Sequence, residues 1–263
     1  MDKAQQGSSD QPPRPTREFY IHALELLDRA QVPYVVGGGY AMAYYTGIIR
    51  HTKDLDVFVR PHHRDWTLKT FADAGYRTEI TWPHFLGKAV HSNEAFVDVI
   101  YNSGNGLCPV DDDWFIHAEM GFMLGRKAPM CPPEEMIWSK AFVQDRDRYD
   151  GADVAHMILA RGEQFDWHRV MRRFKTHERV LMAHLLLFGY AYPSERDRVP
   201  GWVLDELLVK VRSEEPSADP VCKGTNLAIR QYLTDVRDRG YEDVRLQPRG
   251  PLTAEEIDRL PAA

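Results

Sequence analysis

The chain has only three cysteines among its 263 residues, at positions 108, 131 and 222. Their number is odd, and none of their spacings fits a Cys-x-x-Cys pair. A disulfide framework and a structural zinc site are therefore not expected. This cysteine usage favours a reducing, cytoplasmic location.

The sequence also lacks a long apolar run and an excess of basic residues. Its longest apolar run, residues 181–192, is too short to span a bilayer and contains His184. The N-terminus has no apolar core of the signal-peptide kind, so we expect no membrane role. The net charge of −6 argues against general polyanion binding, because nonspecific nucleic-acid affinity comes from Lys and Arg that neutralise phosphates. The eleven histidines show no paired metal-ligand spacing, so none is assigned to metal.

Composition and periodicity predict two folded parts after a short tail. Residues 1–16 are rich in Gln, Ser and Pro and are expected to be disordered. Residues 17–131 mix helical and strand patterns, which predicts an α/β (α+β) core. Residues 132–263 follow an almost entirely helical pattern, which predicts a mostly helical C-terminal domain. The expected strands are residues 34–36, 54–59, 76–80, 85–90 and 95–101.

Acidic residues interrupt two of these predicted strands. Asp54 and Asp56 alternate with Leu55 and Val57, so both carboxylates are expected on one face of a strand. Asp98 lies in a later apolar strand, where an unpaired charge would be unfavourable. A divalent cation best relieves the repulsion among three carboxylates, which predicts Mg²⁺ carrying a nucleotide. The simpler alternatives are a solvated strand edge for the first pair and a water-facing edge position for Asp98.

A run of three glycines precedes the acidic strand. Gly37, Gly38 and Gly39 end a strand and open a helix, so their N–H groups and the helix N-terminus could bind phosphate. The simpler interpretation is a strand-to-helix turn that needs glycine for its backbone geometry. No Lys-Ser or Lys-Thr follows at the spacing of a P-loop. Thr52 and Lys53 could also contact phosphate, and a surface role for either is equally open.

Together these motifs resemble the nucleotidyltransferase superfamily, whose cores share the DNA polymerase β-like fold. The resemblance rests on the stretch VVGGGYAMAYYTGIIRHTKDLDVFV and covers roughly residues 30–105. It implies a mixed sheet flanked by helices, two Mg²⁺ ions held by Asp54, Asp56 and Asp98, and an NTP as substrate. Asp98 would also accept the proton of the acceptor hydroxyl. Gly-Gly-Gly in place of the more usual Gly-Ser removes a hydroxyl that could contact a phosphate.

A downstream segment narrows the resemblance. With the first stretch, PPEEMIWSKAFVQDRDRYDGADVAHM is similar to stand-alone bacterial nucleotidyltransferases related to the AbiEii toxins. In that group the acceptor varies among antibiotics, tRNA ends and proteins, so the resemblance leaves it open. It also leaves open a place in a toxin–antitoxin pair.

Lys140 lies in the same segment, on a helical stripe with Met136 and Val143. A lysine in an apolar stripe either extends its ammonium to solvent or faces a pocket. The pocket interpretation predicts that Lys140 contacts the triphosphate. Asp150 and Asp153 have a spacing like that of a capping box. The resemblance also marks these two aspartates as possible acceptor-site residues.

The segment 161–179 contains six basic residues and three acids, with Trp167 and Phe174 among them. Basic residues interleaved with aromatics indicate a surface for a polyanionic acceptor such as tRNA. An ordinary charged helix face would give the same pattern.

The function predicted from these motifs is Mg²⁺-dependent transfer of an NMP from an NTP to a hydroxyl or phosphate of an acceptor. The alternatives are a catalytically degenerate nucleotide-binding module, an Asp-x-Asp phosphatase of the haloacid-dehalogenase type, and a glycosyltransferase. Three intact aspartates argue against the degenerate module. The phosphatase needs an apolar run before the first aspartate, whereas polar residues 51–53 precede Asp54. The glycosyltransferase does not explain the glycines.

Overall fold

A computed structural model describes residues 12–50, 52–92 and 95–260. The chain divides into two compact units. The first contains the described residues up to Gly104 and the segment Pro109–Pro132. The second contains Asn105–Cys108 and the described residues from Pro133 onward.

The first helix, α1 (Arg14–Arg29), begins three residues before the predicted start of the fold. Pro13 is its N-cap residue, and Pro15 lies in its first turn. Proline suits that position because the first N–H groups of a helix have no intrahelical partner and the ring presets the backbone angle. The prediction of disorder is therefore wrong for residues 14–16, and residues 1–11 lie outside the described part of the chain.

The first unit is a mixed sheet flanked by helices, which confirms the predicted fold class. Seven strands form the sheet in the order β3-β4-β5-β2-β1-β7-β6. The pairs β2–β5 and β1–β7 are parallel, and the other neighbours are antiparallel. After α1 the elements are β1 (Val35–Val36), α2 (Gly38–Thr46), β2 (Asp54–Phe58), α3 (Arg64–Asp73), β3 (Arg77–Trp82), β4 (Leu86–Ser92), β5 (Ala95–Ile100), α4 (Asp113–Ile116), β6 (Glu119–Met123) and β7 (Arg126–Met130).

The two central strands owe their position to alternating burial. Leu55 and Val57 of β2 are fully buried, as are Val97 and Val99 of β5. Helices α1 and α3 both contact β5. The residues between these apolar positions are only half-buried and point to the opposite face. The predicted alternation in both strands is therefore present, and it places the carboxylates of both strands on the less buried face of the sheet.

Strands β6 and β7 were not expected from the sequence. Both are poor in β-branched residues, β6 contains Gly121, and β7 contains Pro129, which cannot donate a ladder hydrogen bond. Pro129 nevertheless lies opposite Met120 in the antiparallel pair. The close packing of this pair needs the glycine, because a Cβ on Gly121 would lie 2.6 Å from Met130 Cγ.

The second unit is mostly helical, as predicted. A small parallel pair, β8–β9, is the exception. None of the helices within the described ranges is long and apolar enough to cross a membrane. The elements are α5 (Pro133–Ala141), α6 (Gly151–Arg161), α7 (Trp167–Arg173), α8 (Glu178–Ala191), α9 (Gly201–Ser213), β8 (Val221–Cys222), α10 (Ile229–Asp238), β9 (Glu242–Asp243) and α11 (Ala254–Asp258).

Buried ion pairs join α5 to α7. Glu135 is fully buried, and its Oε1 accepts a hydrogen bond from Arg173 Nε at 3.1 Å. Arg169, also buried, pairs with both Glu134 and Glu135. Burial raises the pKa of Glu135 to about 7, although the charges of Arg169 and Arg173 act in the opposite direction. Burial therefore outweighs the attraction of the two guanidinium groups.

This arrangement changes the interpretation of the basic segment 161–179. Its aromatic residues, Trp167 and Phe174, are buried in the core of the unit and are not exposed beside the basic side chains. Arg169 and Arg173 form ion pairs with glutamates. The prediction of a basic surface interleaved with aromatics is wrong for these four residues.

The raised pKa of Glu135 predicts a pH-dependent contribution to stability. Between pH 4.5 and about 7 the Glu135 carboxyl loses its proton in the unfolded chain and keeps it in the folded chain. The contribution of this carboxyl to stability is therefore fully present below pH 4.5 and is lost as the pH rises. Glu135→Gln should lack this loss. We expect the free energy of unfolding of the wild type, relative to Glu135→Gln, to fall by up to about 3 kcal/mol across that range.

Urea denaturation of both proteins at pH 5 and pH 7.5 measures this difference. Glu206→Gln is the control, because Glu206 forms a solvent-exposed pair with Lys210. A wild-type-to-variant difference that stays constant with pH would contradict the raised pKa.

Candidate functional site

The three predicted aspartates come together in the structure. One carboxylate oxygen from each of Asp54, Asp56 and Asp98 lies within 4.8 Å of the others, and all three residues are half-buried. In the described ranges no other set of three His, Cys, Asp or Glu residues converges in this way. The cluster thus has the donor atoms and the spacing that a hard divalent cation needs.

The parallel pairing of β2 with β5 produces this cluster. Asp56 lies directly opposite Asp98, and Asp54 lies opposite Phe96. Side chains at opposed positions of neighbouring strands project from the same face. Two unit charges 4 Å apart repel by about 4 kcal/mol at the effective dielectric constant near a protein surface. The fold therefore holds these carboxylates together against a substantial repulsion.

Lys88 lies in the same row of the sheet and was missed by the sequence analysis. It is opposite Asp98 in the β4–β5 pair, and its Nζ donates a hydrogen bond to Asp98 Oδ1 at 2.7 Å. The ammonium also lies 3.9 Å from the centroid of the Phe96 ring. The signal was available, because strands adjacent in the chain usually pair as a hairpin, which places residues 88 and 98 opposite each other.

The glycine turn packs directly against the acidic strand. Gly37 N donates to the main-chain oxygen of Asp56 at 3.0 Å. Gly38 has φ +53°, and a Cβ placed on it would lie 1.7 Å from Asp56 Oδ2. A Cβ on Gly37 would lie 2.1 Å from the Phe58 ring, and one on Gly39 would lie 3.3 Å from Thr52. Close approach to the acidic strand therefore requires the first two glycines, and phosphate binding by this turn stays a prediction.

Thr52 orients the first aspartate. Its Oγ1 lies 2.7 Å from Asp54 Oδ1 and 3.0 Å from the main-chain oxygen of the same residue. The side chain of Lys53 is exposed, while its carbonyl oxygen accepts a hydrogen bond from Tyr20 at 2.9 Å. Contacts of Thr52 and Lys53 with phosphate stay predictions.

Two tyrosines lie next to the cluster, and no sequence motif predicted them there. Burial raises the pKa of the Tyr20 hydroxyl, with further contributions from Tyr40 and the aspartates. Burial and the charge of Asp54 also raise the pKa of Tyr40. Among the described residues the buried Tyr40 hydroxyl has no hydrogen-bond partner. Both groups stay protonated at neutral pH and can act only as neutral dipoles beside the carboxylates.

In the second unit, Lys140 lies between two carboxylates. Its Nζ donates to Asp150 Oδ2 at 2.9 Å and to Asp153 Oδ2 at 2.8 Å. Burial alone would lower the pKa of Lys140, but the two aspartates outweigh it and raise the pKa. Asp150 is the N-cap residue of α6, yet its side chain makes no capping hydrogen bond. The predicted capping box is therefore wrong, because both carboxylates pair with the lysine. Contact of Lys140 with a triphosphate, and of the aspartates with an acceptor, stay predictions.

Comparison with known families gives one match to a family model. Residues 20–100 match the model of the aminoglycoside-2''-adenylyltransferases. The match covers less than a third of the chain, and it contains the glycine turn and all three aspartates. It agrees with the predicted resemblance to the nucleotidyltransferase superfamily. The finer relationship to AbiEii toxins stays a prediction. Among curated proteins, none matches the chain.

Several solved structures are similar to parts of the chain. The lincomycin-bound lincosamide antibiotic adenylyltransferase LnuA is 20% identical, with 54% of this chain and 94% of that chain covered and a TM-score of 0.39. ANT(2'')-Ia in complex with adenylyl-2''-tobramycin is 17% identical, with 62% and 96% covered and a TM-score of 0.43. JHP933 from Helicobacter pylori is 14% identical, with 77% and 97% covered and a TM-score of 0.41. These scores are too low for any conclusion about activity.

The packing of the glycine turn leads to a prediction about stability. Gly38→Ala should lower the free energy of unfolding by about 3 kcal/mol, because it combines a left-handed backbone with displacement of the Asp56 carboxylate. Gly47→Ala is the matched control, since Gly47 also has a positive φ, +71°, but no atom within 4 Å of the added Cβ. It should lose only about 1 kcal/mol. Equal losses in urea denaturation would show that Asp56 does not restrict this position.

The Lys140 cluster leads to a second stability prediction. Lys140→Met should destabilise the protein by about 3 kcal/mol, because it leaves two largely buried carboxylates without their shared cation. Lys210→Met removes a cation from an exposed pair with Glu206 and should cost less than about 0.5 kcal/mol. Thermal and urea denaturation of both variants provide the comparison. A small effect at Lys140 would mean that the two aspartates find other partners or solvent.

Proposed function

We propose that this protein is a nucleotidyltransferase, which uses Mg²⁺ to transfer an NMP from an NTP to a hydroxyl of a small acceptor molecule, with pyrophosphate as the leaving group. The observation that carries the proposal is the convergence of Asp54, Asp56 and Asp98 beside a glycine turn. In this proposal residues 17–131 are the catalytic core, and residues 132–263 form a helical domain.

The residues present fit the metal that this chemistry needs. Three carboxylate oxygens lie within 4.8 Å of each other, and oxygen is the ligand that Mg²⁺ prefers. The missing side chain at Gly38 leaves room for the Asp56 carboxylate, which a Cβ would displace. When bound, Mg²⁺ would neutralise charge on the triphosphate and stabilise the attacking and leaving oxygens of an in-line displacement.

The protein's own groups then have distinct roles. Asp54 and Asp56 would hold the cation, with Thr52 fixing the orientation of Asp54. Asp98 would complete the ligand set and accept the proton that the acceptor hydroxyl loses. The N-terminus of α2 would present main-chain N–H groups to the phosphates of the nucleotide.

A small-molecule acceptor of the antibiotic type is the first candidate. The matched family model describes enzymes that adenylylate an aminoglycoside, and its match includes the segment with the proposed catalytic residues. A tRNA acceptor has less support, because aromatic side chains of the basic segment are buried and two of its arginines are paired with glutamates.

The structure also bears on the phosphatase alternative. Asp54 is the first residue of β2, so no residue of that strand precedes it. A phosphatase of the haloacid-dehalogenase type requires its nucleophilic aspartate after an apolar strand, which this position does not provide.

Substitution of the aspartates tests the proposed function. Asp54→Asn and Asp56→Asn should each abolish Mg²⁺-dependent transfer, since each removes a charged ligand atom from the cluster. The fold should remain intact and gain about 1 kcal/mol of stability, because repulsion within the cluster is relieved. Transfer is measured with each labelled NTP, Mg²⁺, and separate pools of aminoglycosides, tRNA and protein.

Asp73→Asn is the control, because Asp73 forms an exposed pair with Lys69 on α3. It should transfer at the wild-type rate. Wild-type turnover in either cluster variant would exclude the two-metal assignment. A wild type that binds NTP but labels none of the pools would favour the degenerate-module alternative, and release of inorganic phosphate without labelling would favour the phosphatase.

A further inference from the structure

Lys88 is part of the acidic row of the sheet, although no motif in the sequence includes it. Asp56 on β2, Asp98 on β5 and Lys88 on β4 are opposed in consecutive strand pairs. Opposed residues share a face. The sheet therefore presents the ammonium of Lys88 on the same surface as the carboxylates, in a fixed register.

The contacts of Lys88 restrict where its charge can lie. Its Nζ is 2.7 Å from Asp98 Oδ1 and 3.9 Å from the centroid of the Phe96 ring. The side chains of Lys88 and Asp98 are only 21% and 13% exposed. A charge-assisted hydrogen bond and a cation–π contact thus act on a partly buried ammonium, where screening by solvent is weaker than at an open surface.

We propose that Lys88 is a positioning residue that fixes the Asp98 carboxylate and sets the affinity of the cluster for divalent cations. The Lys88 ammonium fixes the position of one carboxylate oxygen of Asp98. This limits where the second oxygen of the same carboxylate can lie. The positive charge of Lys88 stabilises the cluster without a cation and weakens binding of a cation by repulsion and by competition for Asp98. This inference rests on the proposed function, because the carboxylates that hold the cation are the same in both.

The test measures cation binding without nucleotide and without turnover. Mn²⁺ is titrated into the protein and the free ion is followed by electron paramagnetic resonance, while the melting temperature is measured over the same concentrations. In Lys88→Met the dissociation constant for Mn²⁺ should fall about tenfold, because one positive charge beside the site is removed. Its melting temperature without Mn²⁺ should be lower than that of the wild type, and the deficit should shrink as Mn²⁺ is added.

Two variants separate positioning from simple packing. Lys88→Arg keeps the charge and should bind Mn²⁺ with an affinity near that of the wild type. Lys69→Met removes a lysine from the exposed pair with Asp73 and should change neither the Mn²⁺ affinity nor the rise of the melting temperature with Mn²⁺. If Lys88→Met lowers the melting temperature but leaves the Mn²⁺ affinity unchanged, Lys88 is a packing residue and the inference is wrong.

Further outcomes distinguish this inference from the proposed function. If Lys88→Met binds Mn²⁺ as the wild type does but loses affinity for ATP, Lys88 contacts phosphate and the inference is overturned while the function stands. If the wild type binds no Mn²⁺ and transfers no nucleotide, both fail together. If transfer is lost in Asp54→Asn and Asp56→Asn, and the Mn²⁺ affinity is equal in wild type and Lys88→Met, the function survives and the role of Lys88 does not.

Discussion

The in-register parallel pairing of β2 with β5 is the constraint on which the site depends. Leu55 and Val57 are fully buried opposite Val97 and Val99, and a slip of one residue would turn charged side chains into the core. Burial of each such side chain contributes about 1.5–3 kcal/mol, so four together contribute roughly 6 kcal/mol or more. That is of the same order as the repulsion among the three carboxylates, which is about 4 kcal/mol for each pair 4 Å apart. Core packing therefore offsets the repulsion within the acidic cluster.

The glycine turn and the acidic strand form a single structural unit. Gly37 donates its N–H to the main chain of Asp56, and the missing side chain at Gly38 leaves space for the Asp56 carboxylate. A larger residue at position 38 would displace that carboxylate even if the protein bound no phosphate. The presence of both motifs in one sequence thus has a steric reason, and phosphate binding would use a geometry that the packing already requires.

Local periodicity could be predicted well from the sequence, whereas the residues that contact each other across the fold could not. The alternation around Asp54 and Asp98 indicated which face each carboxylate occupies, and the structure agrees. No motif around Lys88 pointed to it, because its importance comes from the pairing with Asp98 in the expected hairpin and not from its neighbours in the chain. Strands β6 and β7 were missed for a related reason: Pro129 is unfavourable in a strand, and only the pairing with β1 and β6 explains its position there.

In the second unit, too, contact partners could not be predicted from the sequence. This unit also shows what buried charges contribute to packing. From the sequence, Lys140 was a candidate to contact a triphosphate, and the segment that contains Arg169 was a candidate surface for an acceptor. The structure shows that both residues pair with carboxylates from other parts of the unit. Helix α5 carries Glu134 and Glu135 in its first turn and Lys140 in its last, an order that also suits the helix dipole. The acidic end pairs with Arg169 of α7, and the basic end pairs with Asp153 of α6. Exchanging these neighbours would bring like charges together in a buried environment, where an uncompensated charge costs several kcal/mol. The buried pairs therefore specify which helix packs against each end of α5, even if their net contribution to stability is small.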